Sequence, residues 1–566
     1  MNQLSGAEAV VRMLQLHGVR HVFGLCGDTS LPLYDALYRQ GHGITHVLAR
    51  DERSAAYMAD GYARATGRVG VCEGPSGGGA TYILPGVVEA NESSIPVLAV
   101  TTDIAVGSRG RYALTELDQE ALFRPLTKWN RVVDQAAQIP AALRAAFRQM
   151  TTGRPGAAHI GLPFDVQRAP VDEAEVYADP TLGVFPARRT APEPAAIAAA
   201  AEAILSAENP LLICGGGPVI AGAEAELQAL AERLEVPVAT TISGQGSMPE
   251  NHPLAAGVVG SNGGTPATRA LVDQADLVVF IGCRAGSVTT ERWRHPVPGE
   301  VRVVHVDVDP AVIGANYPTE VAVVGDARLA LAALRDEVAR FVDLPPDRSR
   351  GLGREAVARA WSEKLGAFED LARSEAMPIR PERIVATLQA LLPPAAMIVA
   401  DAGTPCPYFS AYYRQRAAGR HFISNRAHGA LGYALPAAVG ARIGRLDAPC
   451  VAIMGDGSFG FASGELETIA RLGLPITMVV IANASFGWIK AGQRSGFEGR
   501  YFAVDFSPGQ HARIAEAYGI KSWRVEHPAE LRPALAKALA NDGPALVDVV
   551  TQPLEEARAP VSEWVA

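Results

Sequence analysis

Two oxygen-bearing side chains sit where a chain can hold a cation. Asp456 lies in Gly455-Asp456-Gly457-Ser458, directly after the apolar run Val451 to Met454. Asn483 closes a second apolar run, and Ala484-Ser485-Phe486-Gly487 follows it. If both runs are strands of a parallel sheet, both residues face the carboxyl edge, where open α/β sheets bind ligands. A carboxylate and an amide oxygen, joined by a carbonyl, a water and two phosphate oxygens, complete the octahedral oxygen shell of Mg²⁺. The flanking glycines let backbone N–H groups approach a phosphate. A Gly-Asp-Gly turn alone also reads as an ordinary strand end; the spacing to Asn483 adds the weight.

The elements that must position these residues follow from apolar periodicity. Around the motif, AAMIVAD, PCVAIMGDG, PITMVVIAN and PALVDVV read as buried strands, with helical GELETIARLG between two of them. At the start, Ser5 and Glu8 form a capping box, Ala7, Val10, Val11 and Leu14 recur at helical spacing, and Gly18 ends the helix. A strand at 21–25 follows, then VGVC, PVLAV and AAHIGLP, the βαβ rhythm of a parallel sheet. Pro- and charge-rich sequence from 165 to 194 reads as a surface linker. PLLICGGG opens a second α/β stretch with VPVATT, DLVVFIG and VRVVHVDVDP, and DLPPDRSRGLG reads as a second connector. The expectation is three doubly wound parallel-sheet α/β domains at 1–165, 195–342 and 380–552, the first and third sharing a rhythm.

Composition bounds the chemistry. At 566 residues the chain is long enough for three or four domains, and 48% apolar with 20% charged residues excludes a disordered or fibrous chain. A balance of 51 basic against 60 acidic residues, net −9, argues against nucleic-acid partners and favours a small-molecule substrate. Six cysteines without CxxC spacing suggest neither zinc nor disulfides. The N-terminus lacks a charged segment followed by an apolar core, so no signal peptide, no membrane partner and a cytoplasmic location are expected.

The GDG motif with its downstream Asn resembles the signature of thiamine-diphosphate enzymes. That resemblance implies that Asp456, Asn483 and the Ser485 carbonyl hold Mg²⁺ on the cofactor's diphosphate, with Gly455, Gly457, Ser458, Phe486 and Gly487 around it. The family usually carries Asn-Asn where this chain has Ala482-Asn483. In the first domain, VLARDERSAAYMADGYARATGRVGVC is similar to acetohydroxyacid synthases and places Glu52 where a Glu meets the cofactor's aminopyrimidine. Protonating that ring favours the tautomer that takes the C2 proton. Read locally, Asp51-Glu52-Arg53 is equally a solvated charge cluster at a helix start. In HGALGYALPAA, Leu431 matches the apolar wedge that bends the cofactor and Gly429 the carbonyl facing N4′; Thr404 falls in the DAGT loop. The resemblance assigns the three domains as pyrimidine-binding, central and diphosphate-binding, with active sites between subunits of a homodimer or homotetramer.

Substrate positions match unevenly. Gly27-Asp28 resembles pyruvate decarboxylases, but no His-His pair follows and Ile489 replaces their second acid. ALTELDQEALFRPLTKW resembles benzoylformate decarboxylase and puts Thr115 where the synthases have Gln. Glu73 stands where benzoylformate decarboxylase has an active-site His. Asp28, Glu73 and Thr115 are therefore candidates beside Glu52 for handling protons or a polar substrate group, with loop hydrogen bonding as the plain alternative for the acids; His428 reads as a pocket residue or a core His. The central domain resembles that of the flavin-carrying group, yet CRAGSVTT replaces its Arg-Phe-Asp-Asp-Arg run, which leaves FAD open. The implied reaction is Mg²⁺- and thiamine-diphosphate-dependent decarboxylation of a 2-oxo acid with carboligation to a second carbonyl, as in acetolactate synthases. Aldehyde release, as in benzoylformate decarboxylase, is the enzymatic alternative, and a non-catalytic cofactor-binding regulator is the alternative of another class.

Overall fold

The computed structural model describes residues 3–39, 41, 43–341, 352–557 and 559–562. The connector read in DLPPDRSRGLG lies outside them except for its last two residues. Three six-stranded sheets, all of parallel strands, carry the chain, which divides into two compact units.

The first unit comprises residues 1–188 with 425–447 and 462–474. Its strands lie in the order Thr45–Leu48, His21–Gly24, Gly70–Gly74, Val97–Asp103, Ala158–Pro163, Trp129–Val132. Numbered along the chain this is 2-1-3-4-6-5, so direction of winding reverses between His21–Gly24 and Gly70–Gly74, where Gly24 pairs with Glu73. The two edge strands are half exposed and short, whereas Gly70–Gly74, Val97–Asp103 and Ala158–Pro163 are buried throughout. The first helix, Gly6–Leu16, has the capping box read from Ser5 and Glu8. The stretch read as a linker is more ordered than expected: Pro170–Asp172 pairs antiparallel with Gln3–Ser5, and Phe164–Arg168 is helical. Three residues are too few to show a period of two.

Within this unit the helix Ala434–Gly444 packs on Glu52–Thr66. The backbones touch because Gly61 faces the Ala437 carbonyl and Gly440 faces the Met58 carbonyl. Any Cβ at Gly440 would overlap main chain that cannot rotate away. Gly440→Val is expected to cost at least about 1–3 kcal/mol and lower the melting temperature. Gly366→Ala, inside the helix Arg354–Ala372 with open space around its Cα, is expected to raise stability by up to ~1 kcal/mol. Differential scanning calorimetry of the two variants checks the opposite signs.

The second unit comprises 189–424, 448–461 and 475–566 and holds two sheets. One runs Ala255–Val258, Val238–Thr240, Pro210–Cys214, Leu277–Ile281, Arg302–Asp307, Val321–Val324, chain order 3-2-1-4-5-6. Its Leu, Val and Ile side chains bury between Pro194–Ser206, Glu224–Leu234 and Ala327–Val338 on one face. The other runs Phe422–Ser424, Met397–Ala400, Cys450–Gly455, Ile476–Ala482, Ala545–Val550, Lys521–Val525, again 2-1-3-4-6-5. The shared rhythm of the first and third stretches is thus a shared strand order. The six cysteines are free, and all but Cys26 are buried. Among the described residues no helix is long and apolar enough to cross a membrane.

Candidate active site

In the third sheet the winding reverses between Met397–Ala400 and Cys450–Gly455, and the residues directly beyond their carboxyl ends are Asp401 and Asp456. The Gly-Asp-Gly segment, read as a turn, is the last strand residue, Gly455, followed without a connecting loop by the first turn of a helix, Asp456–Ala462. Asp456 is 5% exposed. Its Oδ2 accepts from the backbone N–H groups of Asn483 at 2.8 Å and Ala484 at 2.6 Å, and its Oδ1 accepts from Gly457 at 2.9 Å. Those bonds hold the carboxylate against the end of the neighbouring strand. Burial raises its pKa and the three donors oppose that rise. Asn483 Oδ1 accepts from the Ser485 N–H and hydroxyl at 3.2 and 3.3 Å, which needs the left-handed backbone at Ala484, φ 56°.

The donor set here is oxygen only: a carboxylate with spare lone pairs, an amide oxygen and the backbone of a buried serine. Among the described residues no three His, Cys, Asp or Glu side chains gather as soft or borderline-metal ligands. A hard cation shared with phosphate fits this chemistry. Room for a phosphate is also present, since a Cβ at Gly455 or Gly403 would meet nothing within 4 Å. Gly457 is different: its missing side chain makes way for the Phe486 ring. Ser458 Oγ donates to Asp401 Oδ2 at 2.5 Å, tying the two strand ends together, and Thr404 is buried at the start of Pro405–Tyr412.

In the first unit Glu52 opens the helix Glu52–Thr66 and is 8% exposed. The charge cluster resolves into separate roles. Asp51 caps the helix by accepting from Arg53 N–H at 2.8 Å and Ser54 N–H at 3.4 Å, and Arg53 pairs back to it. Glu52 turns inward instead, and burial raises its pKa. Its Cγ lies 3.5 Å from where a Gly74 Cβ would stand, so Glu52 is near enough to Glu73 for its charge to act on that carboxyl. Glu73 is 1% exposed, and its carboxylate crosses over Gly24, whose lack of a side chain makes the space.

Thr115 and Asp28 belong to the same strand ends by a route the sequence hides. Thr115 Oγ1 lies 2.8 Å from Ser76 Oγ, Thr29 Oγ1 donates to Ser76 Oγ at 3.0 Å, and Thr29 reaches Thr102 at 2.8 Å. Asp28, beside Thr29, is exposed on the turn Asp28–Ser30. Ser76 and Thr29 were not among the expected site residues; only the strand order brings them together.

The loop with Gly429 and Leu431 also lies in the first unit. Buried Glu89 accepts from His428 N–H at 2.7 Å and Gly429 N–H at 3.3 Å, while Arg64 pairs with Glu89 at 3.1 Å and with Asp60 at 2.7 Å. Tyr433 closes the cluster by donating to Asp60 at 2.5 Å. His428 itself is exposed, so the core reading of it does not hold. Gly429 has φ 73°, a conformation the loop needs. In the central sheet, Gly215 and Gly217 of CGGG abut the Gly282 backbone, which gives these glycines a packing role independent of any nucleotide.

The burial of Glu73 has a consequence for stability. Burial pushes Glu73 from 4.5 to about 8, against the Tyr34 hydrogen bond that favours the anion. Its neutral form is therefore the one the fold prefers. Stability from this group is full below pH 4.5 and is lost as pH rises toward 8, on the order of 5 kcal/mol in all. Glu73→Gln is expected to flatten that part of the stability curve, measured by urea unfolding from pH 4.5 to 8.5.

An oxygen-only donor set at one sheet's winding reversal and a buried glutamate at a helix start fit a cofactor-binding α/β enzyme class. The N-terminal TPP binding domain, central domain and C-terminal TPP binding domain of thiamine pyrophosphate enzymes match residues 4–122, 197–334 and 401–549. The chain is 36% identical over 562 residues to a probable acetolactate synthase large subunit of Methanocaldococcus jannaschii, covering 98% of this chain and 93% of the relative. It is 34% identical to an acetolactate synthase of Arthrospira platensis, covering 97% and 94%, and 34% identical to an acetolactate synthase large subunit of Corynebacterium glutamicum, covering 97% and 87%. The chain belongs to the thiamine-diphosphate-dependent enzymes, in the acetolactate-synthase-like family.

Proposed function

We propose that the protein decarboxylates a 2-oxo acid and joins the remaining acyl unit to a second carbonyl compound, using thiamine diphosphate and Mg²⁺. The observation that carries this reading is that one chain, related over nearly its whole length to acetolactate synthases, holds both a buried Glu52 in its first unit and the Asp456–Asn483 oxygen donors in its second. Thiamine diphosphate, when bound, supplies the electron sink into which the bond to the carboxylate breaks. Asp456, Asn483 and the Ser485 carbonyl would hold Mg²⁺ and through it the diphosphate, with Gly455, Gly457, Ser458, Phe486, Gly487 and Thr404 around it. Glu52 keeps a proton for the aminopyrimidine nitrogen, a task its burial suits. Gly429 offers a carbonyl and Leu431 an apolar wedge to the cofactor. Glu73, Asp28 and Thr115 meet the substrate.

The active unit is a homodimer or homotetramer with sites between subunits, working in the cytoplasm, and the chain is organised as domains 1–165, 195–342 and 380–552. Thr115 in the place of the synthases' Gln favours one second reading, release of the acyl unit as an aldehyde. Incubation with pyruvate and other 2-oxo acids, followed by chromatography, tests both. Carboligated hydroxyketone products are expected; free aldehyde alone selects the second reading, and no CO₂ from any 2-oxo acid overturns both.

A further inference from the structure

Tyr34, in the helix Leu31–Arg39, stands between two titratable groups far from it in sequence. Its hydroxyl lies 2.7 Å from Glu73 Oε2 and 2.9 Å from His46 Nε2, and the Tyr34 and His46 rings meet edge to face at 4.9 Å. Exposure grades along this line: Glu73 is buried, while Tyr34 and His46 are half-buried. Glu73 Oε1 is buried and makes no hydrogen bond of normal geometry among the described residues, which leaves it as the carboxyl oxygen that an entering polar group would satisfy. Burial holds Glu73 up at about 8 and His46 down at about 4. Near neutrality the row is a neutral acid, a phenol and a neutral imidazole. The other titratable groups facing it are Glu52, whose charge opposes ionisation of Glu73, Cys26 after the strand His21–Gly24, which acts on Tyr34, and Arg471 beside His46.

The chemistry asks for such a row. A 2-oxo acid anion that loses its carboxylate as neutral CO₂ consumes one proton per turnover, whether the product is a hydroxyketone or an aldehyde. We propose that His46, Tyr34 and Glu73 form a proton path from solvent to a substrate bound beside Glu73. Glu73 gives its proton to a substrate oxygen and becomes a carboxylate. His46 takes a proton from solvent at Nδ1 and passes its Nε2 proton to the Tyr34 oxygen, and Tyr34 hands its own proton to Glu73 Oε2. One proton enters, one reaches the carboxylate, and the imidazole ends neutral as the other tautomer. The proposal rests on the 2-oxo acid reading for its substrate. The residue chain itself rests on the geometry.

The test uses the full-length protein with Mg²⁺ and thiamine diphosphate, and the variants Tyr34→Phe, His46→Ala and Glu73→Gln. Tyr34→Phe and His46→Ala are expected to lower kcat roughly 10-fold or more with KM within about twofold, and added imidazole should restore several-fold of the His46→Ala loss. A substrate-free readout stands beside it: infrared difference spectra should show a protonated-carboxyl band, absent in Glu73→Gln, that titrates near pH 8 and moves to higher pH in Tyr34→Phe. Unchanged kcat in both variants overturns the path, as does a loss that imidazole leaves untouched. A band that ignores Tyr34→Phe also overturns it. If the wild type turns over no 2-oxo acid, the functional reading falls, while the infrared titration still supports or overturns the coupling of Glu73 to Tyr34.

Discussion

Glu52→Gln is expected to leave the protein folded and able to take up Mg²⁺ and thiamine diphosphate, and to lower kcat by roughly 10²–10⁴-fold. Gln fills the same volume and still donates and accepts hydrogen bonds, so the helix start stays closed by Asp51, which makes the capping bonds itself. What disappears is a carboxyl that can hold and return a proton. Because burial is the main influence on Glu52 and moves its pKa upward, the wild-type residue keeps a useful protonated fraction closer to neutrality than an exposed Glu. The acid limb of the rate profile should therefore belong to Glu52 and vanish in the variant. Isothermal titration with the cofactor and stopped-flow kinetics across pH separate binding from turnover; tight binding with full wild-type kcat would remove Glu52 from the mechanism.

The second large effect is expected at the other sheet. Asp456→Ala should weaken binding of Mg²⁺ with thiamine diphosphate by about 100-fold or more, with catalysis recovered only in part at high metal. The loss has two components. A hard anionic oxygen is gone, and the N–H groups of Gly457, Asn483 and Ala484 lose their acceptor, at about 1–3 kcal/mol for each donor left buried. Asp456→Asn separates them: its amide oxygen can still take the backbone donors and keep the loop in place, but it carries no charge for the cation. The melting temperature of Asp456→Asn should stay near that of the wild type while its metal affinity falls, as read by calorimetry with Mg²⁺ titrated against thiamine diphosphate. Equal affinity in all three proteins would remove Asp456 from the metal site.

Some of this architecture was legible residue by residue. Ser5 with Glu8 marks the first helix because a capping box is a local event between residues three apart. Asp456 and Asn483 were legible because each follows directly on a buried strand, and consecutive parallel strands place their ends on one edge. The buried strands around them stand out as unbroken apolar runs. The edge strand Thr45–Leu48 carries half-exposed side chains and no such run, so nothing local marks it, whereas Val321–Val324, at the edge of another sheet, is a short apolar run that was not among the expected strands. His46 went unnoticed with the first of them.

Strand order is the property that local sequence does not encode. The order 2-1-3-4-6-5 sets Gly24 beside Glu73 and brings Tyr34 and His46 to the same carboxyl; the same neighbours in sequence, wound in another order, would never meet. Glu89 shows the same limit, since its carboxylate shapes a loop more than three hundred residues away. Composition and periodicity determined that this chain folds as parallel α/β layers and which residue types stand at strand ends. Which of those ends face one another, and hence which acids are desolvated enough to hold a proton near neutrality, was decided by the packing of strands and helices, because burial and hydrogen-bond partners exist only once distant segments are in contact.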